Sequence, residues 1–271
     1  MSSAEFDFPK ELLSPLGNSG FPFQTAVVAA IRSVGPFAIE EEVAWRDDDG
    51  SHRFLDIVAS VGQVRLCIEC KALRNESLVF LLPQTKQQWQ TANVHDVHLG
   101  RVQDSTRRPN VSYGVSQTEP LTAEATYCVA LGKSVRDNRL IEKEVQPLVR
   151  GTEEYAKDRC RQPREADYVL CLPVLVTTAR LFIAIYDPYS ISLDDGIYQA
   201  REDHIQAVSF VRFAKEFTAD GSERTRLRTV FVVRATHLNE LILHLSHARI
   251  GSNADTWVSI YDSVGGERRA R

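Results

Sequence analysis

The chain has 271 residues, of which 43% are apolar and 25% are charged, with 14 Gly and 11 Pro. This composition excludes collagen-like, coiled-coil and wholly disordered chains, and it predicts a globular protein with a full core. Lys and Arg total 32 against 36 Asp and Glu, for a net charge of −4, so no overall basic field marks the chain as a nucleic-acid binder.

The cysteine count and the apolar segments predict the compartment. Five scattered cysteines, an odd number, predict free thiols rather than a disulfide framework. The most apolar stretch, Val169–Tyr186, is too short and interrupted to span a bilayer, because it contains Pro173 and Arg180. Residues 1–9 carry acids and no long apolar run, so no secretory signal is expected. We therefore expect a cytoplasmic protein.

The first quarter of the chain has the clearest periodicity. Apolar residues at helical spacing predict a helix over Pro22–Val34, which Gly35-Pro36 ends. Alternating patterns predict strands over Phe37–Arg46, Phe54–Val61 and Val64–Ala72, separated by turns rich in Asp and Gly. The opening is therefore expected to form a helix and a three-stranded antiparallel meander.

The next segment is more mixed in character. Leu78–Leu82 is apolar, Gln84–Ala92 is expected to form a short helix, and Asp104–Gln117 is expected to form an open loop. Leu121–Val135 has helical periodicity and predicts a second helix.

The second half of the chain alternates helical and strand patterns. The expected elements are a helix over Leu140–Cys160, strands over Asp167–Thr177, Arg180–Tyr186, Val208–Phe217 and Thr229–Arg234, a closing helix over Leu238–Ala248, and a basic, frayed tail over Gly265–Arg271. The layout predicts one α/β domain over residues 1–271, with a mixed central sheet and helices on both faces. Its core is expected over about residues 20–190, with decoration over 191–271.

Three charged residues on two neighbouring predicted strands indicate a site. Glu69 and Lys71 are two apart on one strand, so their side chains leave the same face. Asp56 lies on the preceding strand of the predicted hairpin, and we expect the register to place it beside Glu69. Two close carboxylates repel each other unless a divalent cation holds them, and such a metal with a nearby Lys suits phosphodiester hydrolysis. The alternative is a salt-bridged acid and Lys pair on an edge strand.

This arrangement resembles the PD-(D/E)xK, or restriction-endonuclease-like, nuclease superfamily. The resemblance rests on Asp56, twelve intervening residues and Glu69-Cys70-Lys71, preceded by a helix and a strand. It implies that Asp56, Glu69 and the carbonyl of Cys70 bind Mg²⁺ or Mn²⁺ and that Lys71 lies near the attacking water. Leu55 stands where many members have Pro.

Many members of this superfamily also carry a Glu on the first helix. Gln24 stands at the matching place here, where a neutral amide would hold a metal-bound water but weaken a second metal site. Glu40 and Glu42, on one face of the first strand, are alternative acids, and a solvated acidic strand edge is the other interpretation.

Residues that contact the substrate are expected beyond the motif. By position, the candidates on the predicted helix after the third strand are Gln84, Gln87, Gln88 and Gln90. Arginines in later loops are candidates for phosphate contacts: Arg101, Arg107, Arg108, Arg224, Arg226 and Arg228.

Other familiar signals fail. Gly132-Lys133-Ser134 lacks the Gly that a P-loop needs five places earlier, where Tyr127 stands. Cys67 and Cys70 point to opposite faces of a strand, so they cannot chelate one metal together.

The sequence therefore predicts a Mg²⁺-dependent endonuclease acting on DNA. The alternative is a catalytically weak or inactive nuclease-fold module that binds nucleic acid or a partner protein, which Gln24 and the acidic charge balance favour. An RNA-directed nuclease is a third interpretation. A homodimer, a partner protein and a role in bacterial defence against foreign DNA are expected by analogy alone.

Overall fold

The computed structural model of the protein describes residues 20–47, 49–73, 76–84, 90–101, 109–132, 140–160, 168–196, 198, 201–218 and 225–246. Within these ranges the chain forms three α-helices and twelve strands. In chain order they are α1 (Gly20–Val34), β1 (Ala38–Arg46), β2 (His52–Val61), β3 (Val64–Lys71), β4 (Ser77–Pro83), β5 (Gln90–Arg101), β6 (Pro109–Ala125), β7 (Tyr127–Leu131), α2 (Leu140–Cys160), β8 (Tyr168–Thr177), β9 (Arg180–Tyr186), β10 (Ile205–Val208), β11 (Phe210–Thr218), β12 (Thr225–Arg234) and α3 (Leu238–Ser246). No helix in this part of the chain is both long and apolar enough to cross a bilayer.

The predicted helix and meander at the start of the chain are confirmed. α1 buries Val27, Val28 and Ile31, which share one helix face. β1, β2 and β3 pair in antiparallel order, joined by turns in which Gly50 has a φ of +80° and Gly62 a φ of +53°. Glycine suits both turns because other residues rarely adopt positive φ.

The central sheet is mixed and has eight strands, in the order β1-β2-β3-β8-β12-β11-β6-β5. β8 runs parallel to both β3 and β12, whereas β11 is antiparallel to β12 and parallel to β6. One edge of β8 is shared by two strands: β5 pairs with its first half and β12 with its second half. The strands from β8 to β5 therefore close into a ring.

A buried arginine ties this ring together. Arg212 on β11 is fully buried, and its guanidinium donates hydrogen bonds to the carbonyl oxygens of Asn93 on β5 and Thr122 on β6. Burial lowers the pKa of Arg212 to about 10. These bonds link three strands at one point, which compensates for part of the cost of removing the cation from water.

Helices and a second sheet cover the two faces of the central sheet. α2 packs on one face through Ile141, Val145 and Leu148, together with the four-stranded sheet β10-β9-β4-β7. α1 and α3 pack on the other face. The α/β class with a mixed central sheet and helices on both faces is thus observed.

α2 approaches the central sheet closely at Gly151. A Cβ atom built at Gly151 would lie 2.8 Å from Leu55 Cδ2 and 2.9 Å from Trp45 Nε1. The absence of a side chain therefore lets α2 rest directly on β1 and β2.

The predicted strands and helices of the second half are also confirmed. The described elements α2, β8, β9, β11, β12 and α3 match them to within a few residues at each end. Residues 191–271, however, are not all decoration, because β11 and β12 lie within the central sheet and bury Phe213 and Val232. The expected tail over Gly265–Arg271 lies outside the described residues.

Three predictions between residues 84 and 135 are wrong where the structure describes the chain. Residues 121–125 end β6 and 127–131 form β7, in place of the helix expected over Leu121–Val135. Residues 109–117 belong to β6 rather than to a loop, and residues 90–92 begin β5 rather than ending a helix. Residues 109–117 pair with β5, and pairing of residues 121–131 with the distant strands β11 and β4 overrides their local helical tendency.

Candidate active site

The first feature of the site is a gap between β2 and β3. Regular pairing of these strands ends at Ile57 opposite Ile68, so Asp56 and Glu69 are the next residues facing one another across the hairpin. The side chain of Asp56 enters the gap, where its Oδ2 accepts a hydrogen bond from the Cys70 amide at 2.7 Å. β3 meanwhile stays paired with β8 as far as Lys71. The structure therefore brings Asp56, Glu69 and Lys71 to one end of the sheet.

Glu69 and Lys71 project toward α2. Cys67 belongs to the core beneath α2, and side chains two apart on a strand share a face, so Glu69 and Lys71 lie on this side. Cys70 packs against the core on the opposite face. Its thiol and that of Cys67 therefore do not converge on one metal, as the strand period predicts.

Glu144 of α2 completes this side of the site. Its Oε1 lies 2.8 Å from the Nζ of Lys71, and its side chain is 20% exposed, against 38% for Lys71. Sequence reasoning missed Glu144, because it lies far along the chain from the motif. The one local signal is its place beside the apolar stripe of Ile141, Val145 and Leu148, which predicts that it flanks the core-facing side of α2.

The site carries an excess of negative charge. Burial is the main cause that raises the pKa of Asp56, and the charges of Glu42 and Glu144 add to it, although the hydrogen bond from Cys70 acts in the opposite direction. Burial, followed by the charges of Asp56 and Glu144, raises the pKa of Glu69 to about 8. The ammonium of Lys71 lowers the pKa of both acids without offsetting these causes. Such an arrangement is typical of a functional site.

The acids of β1 separate into two environments. Glu40 binds Arg159 of α2 and accepts a hydrogen bond from the Tyr155 hydroxyl. Glu42 has a φ of +50° and interrupts the β1–β2 ladder directly opposite Asp56. A positive φ is costly for a residue other than glycine, and it places a strained backbone position beside the site. Glu42, rather than Glu40, acts electrostatically on the motif acids.

Gln24 reaches the site from the opposite face. Its side chain is buried, and its Nε2 donates a 2.9 Å hydrogen bond to the main-chain oxygen of Asp56. A carboxylate could not donate this bond. The amide therefore holds the backbone of the first motif acid.

The other predicted substrate residues lie elsewhere or outside the described residues. Gln84 is exposed in the turn after β4, where it lines a cavity of about 570 Å³ together with Asp187 and His204. β9 begins near the site, because the preceding Thr178 donates its amide to the carbonyl of Lys71, and it ends at Tyr186, whose carbonyl accepts a hydrogen bond from the amide of Gln84. The seven residues of β9 span roughly 20 Å, so this cavity lies away from Asp56 and Glu69. Gln90 is exposed at the start of β5.

Several of the predicted substrate residues lie outside the described part of the chain. These are Gln87, Gln88, Arg107, Arg108 and Arg224. The prediction that Arg228 contacts phosphate is wrong, because this side chain is buried and forms a 2.9 Å ion pair with Glu153 of α2. That pair joins α2 to β12 instead.

The donor set fits a hard divalent cation. Asp56 and Glu69 supply carboxylates and Cys70 a main-chain carbonyl, the oxygen ligands that Mg²⁺ prefers. The facing positions of Asp56 and Glu69 beside the main chain of Cys70 support the fit, and a cation would offset the burial and the like charges that raise the pKa of Glu69. Among the described residues, no group of three or more His, Cys, Asp or Glu side chains is arranged to hold a metal. A set of two carboxylates and a carbonyl does not need such a group.

No protein-family model, curated protein or solved structure matches this chain. Function is therefore inferred from the residues of the site and their geometry.

Proposed function

We propose that this protein is a Mg²⁺- or Mn²⁺-dependent nuclease of the PD-(D/E)xK type, which hydrolyses phosphodiester bonds of DNA. The observation that carries the proposal is the gap between β2 and β3, where Asp56 and Glu69 meet with Lys71 beside them. Two partly buried acids with raised pKa values and a neighbouring amine are the groups that metal-assisted hydrolysis requires.

The surrounding fold supports a restriction-endonuclease-like core. A helix, an antiparallel three-stranded meander and a second helix on the opposite face precede β8, which runs parallel to β3. In such a core the motif occupies the second and third strands, as Asp56 and Glu69 do here.

Each residue of the site has a defined part in the proposed reaction. Asp56, Glu69 and the Cys70 carbonyl would hold the cation. When bound, a divalent cation polarises the phosphoryl oxygen and lowers the pKa of water. Lys71 would orient the attacking water with its ammonium and stabilise the negative charge that develops there as the proton of the water passes to solvent, and Gln24 fixes the backbone of Asp56.

A second candidate function is binding of nucleic acid or a partner protein without cleavage. One observation favours it: α1 offers an amide rather than a carboxylate, and the N–H group of that amide is engaged by the main chain of Asp56. A site with one fewer acid would hold a second cation weakly.

Plasmid cleavage distinguishes the two functions. Supercoiled DNA is incubated with the wild-type protein in EDTA, Mg²⁺ or Mn²⁺, and with Asp56→Asn, Glu69→Gln and Lys71→Ala. We expect metal-dependent nicking in the wild type, with losses of about 10²- to 10⁴-fold when the Lys is removed. Glu142→Gln is the matched control, because Glu142 lies on α2 but pairs with Lys215 of β11.

The contrary outcome is binding of DNA without product at high protein concentration, which would refute the nuclease and support the binding module. Labelled RNA in the same assay tests the RNA-directed alternative. Light scattering tests the expected homodimer, which would supply one site for each strand. A defence role against foreign DNA is tested by phage challenge of cells carrying the wild type or Lys71→Ala.

A further inference from the structure

Glu144 forms the one described ion pair that joins α2 to a residue of the sequence motif. Its Oε1 lies 2.8 Å from Lys71 Nζ, and its side chain is more buried than that of Lys71. An ion pair with one partner mostly removed from solvent restricts the other more than a fully exposed pair does. Lys71 has a four-carbon stem with many rotamers, so a fixed partner decides where its ammonium lies.

A comparison within α2 separates the Glu144 pair from an ordinary pair between a helix and a strand. Glu142 also pairs with a Lys from the sheet, Lys215, and the exposure of this pair is similar. Lys215, however, lies on β11 outside the motif, whereas Lys71 lies on β3 two residues after Glu69.

Glu144 adds negative charge beside Asp56 and Glu69, which are already partly buried, and like charges in such surroundings repel one another. Local arrangements that act against stability are expected at functional sites. Glu142 has no such conflict, since its pair lies away from the motif.

We propose that Glu144 is the positioning residue of Lys71. Its carboxylate receives the ammonium and holds it beside Asp56 and Glu69, where Lys71 serves the attacking water. This role rests on the proposed nuclease function, and it distinguishes Glu144 from a metal ligand.

Kinetics of plasmid cleavage give the first test. Glu144→Gln keeps the size of the side chain but removes the charge that holds Lys71. Because misplacing a reacting group by about 1 Å costs up to about 100-fold, we expect kcat to fall by roughly 10- to 100-fold while KM changes little. Glu144→Asp keeps a carboxylate and should recover part of the loss, and Glu142→Gln should match the wild type. An unchanged kcat in Glu144→Gln would overturn the proposal.

Labelling of lysine amines in EDTA gives a test that does not depend on activity. An acylating reagent is added, and the rate at Lys71 and Lys215 is measured by mass spectrometry. We expect Glu144→Gln to accelerate labelling of Lys71 about two- to fivefold, the scale of a half-exposed ion pair. Glu142→Gln should accelerate Lys215 instead and leave Lys71 unchanged. Equal rates at Lys71 in the wild type and Glu144→Gln would refute the positioning role.

Thermal stability with and without Mg²⁺ separates positioning from metal binding. A bound cation stabilises the folded state, so the wild type and Glu144→Gln should both gain in Tm, and Glu69→Gln should gain little. Loss of the increase in Glu144→Gln would make Glu144 a ligand and overturn the proposal. If the wild type cleaves no nucleic acid, the nuclease function fails, and labelling of Lys71 still decides whether Glu144 holds it.

Discussion

Replacing Glu69 with Gln is expected to stabilise the metal-free protein while removing its nuclease activity. Burial and the charges of Asp56 and Glu144 raise the pKa of Glu69 to about 8, from an ordinary value of 4.5. The folded state therefore resists ionisation of this carboxyl, and the unfolded state does not. Gln has nearly the same shape and carries no charge at any pH, so it removes this conflict.

The magnitude follows from linkage between proton binding and folding. A carboxyl whose pKa is raised in the folded state contributes stability that is fully present below pH 4.5 and is lost as the pH rises to about 8. At about 1.4 kcal/mol for each pH unit, the wild type loses about 3 kcal/mol by pH 7 relative to Glu69→Gln, and about 5 kcal/mol by pH 9. At pH 5 the difference is only about 1 kcal/mol.

Urea denaturation in EDTA at pH 5, 7 and 9 measures this difference. The free energy of unfolding of Glu69→Gln should exceed that of the wild type by an amount that grows with pH, with equal m-values. Glu142→Gln is the control, because no such growth is expected for an acid paired with Lys215 outside the site.

Mg²⁺ should nearly cancel the difference in stability between wild type and Glu69→Gln at pH 7. The wild type gains about 2.7 kcal/mol at a cation concentration one hundred times Kd, and the Gln variant gains little. A difference between wild type and variant that stays constant from pH 5 to pH 9 would refute the electrostatic account of the site. A Glu69→Gln protein that still cleaves DNA at the wild-type rate would refute the role of the carboxylate.

Three further predictions test the framework around the site. Gly151→Ala should lower the free energy of unfolding by about 1–3 kcal/mol in urea melts, because the new methyl group collides with β1 and β2. Gly20→Ala, where the space is open, should stay close to the wild type. Gln24→Glu should lower the free energy of unfolding by about 1–3 kcal/mol, because it removes the donor of a buried hydrogen bond. Gln24→Ala should lower it less, and equal stabilities of the two variants would contradict the role of the amide. Arg228→Met should lower the free energy of unfolding by about 3–5 kcal/mol, because it leaves Glu153 buried and unpaired. The double variant with Glu153→Leu should recover much of this loss. The urea midpoint measures this recovery. If the double variant recovers no stability, Arg228 and Glu153 are not energetically coupled.

Sequence patterns were sufficient for elements whose core faces have a regular period. α1 has an apolar stripe at helical spacing. The strands of the meander have apolar residues at alternate positions and are joined by turns that require glycine, so each element is encoded within a few residues. The same patterns mislead over residues 121–131, where Ala and Glu suggest a helix but β6 and β7 pair with the distant strands β11 and β4. Their conformation follows from those partners rather than from local propensity.

By itself the sequence determined that Asp56, Glu69 and Lys71 share one end of a hairpin, because the strand period and a short turn set which side chains meet. The residues around them depend on how the helices pack against the sheet. Packing of the apolar stripe of α2 on the sheet brings Glu144 to Lys71, and packing of α1 on the opposite face brings Gln24 to the backbone of Asp56. These contacts join segments far apart in the chain, so no local pattern records them. They arise because each helix must bury its apolar face, which also fixes the polar residues at its edge.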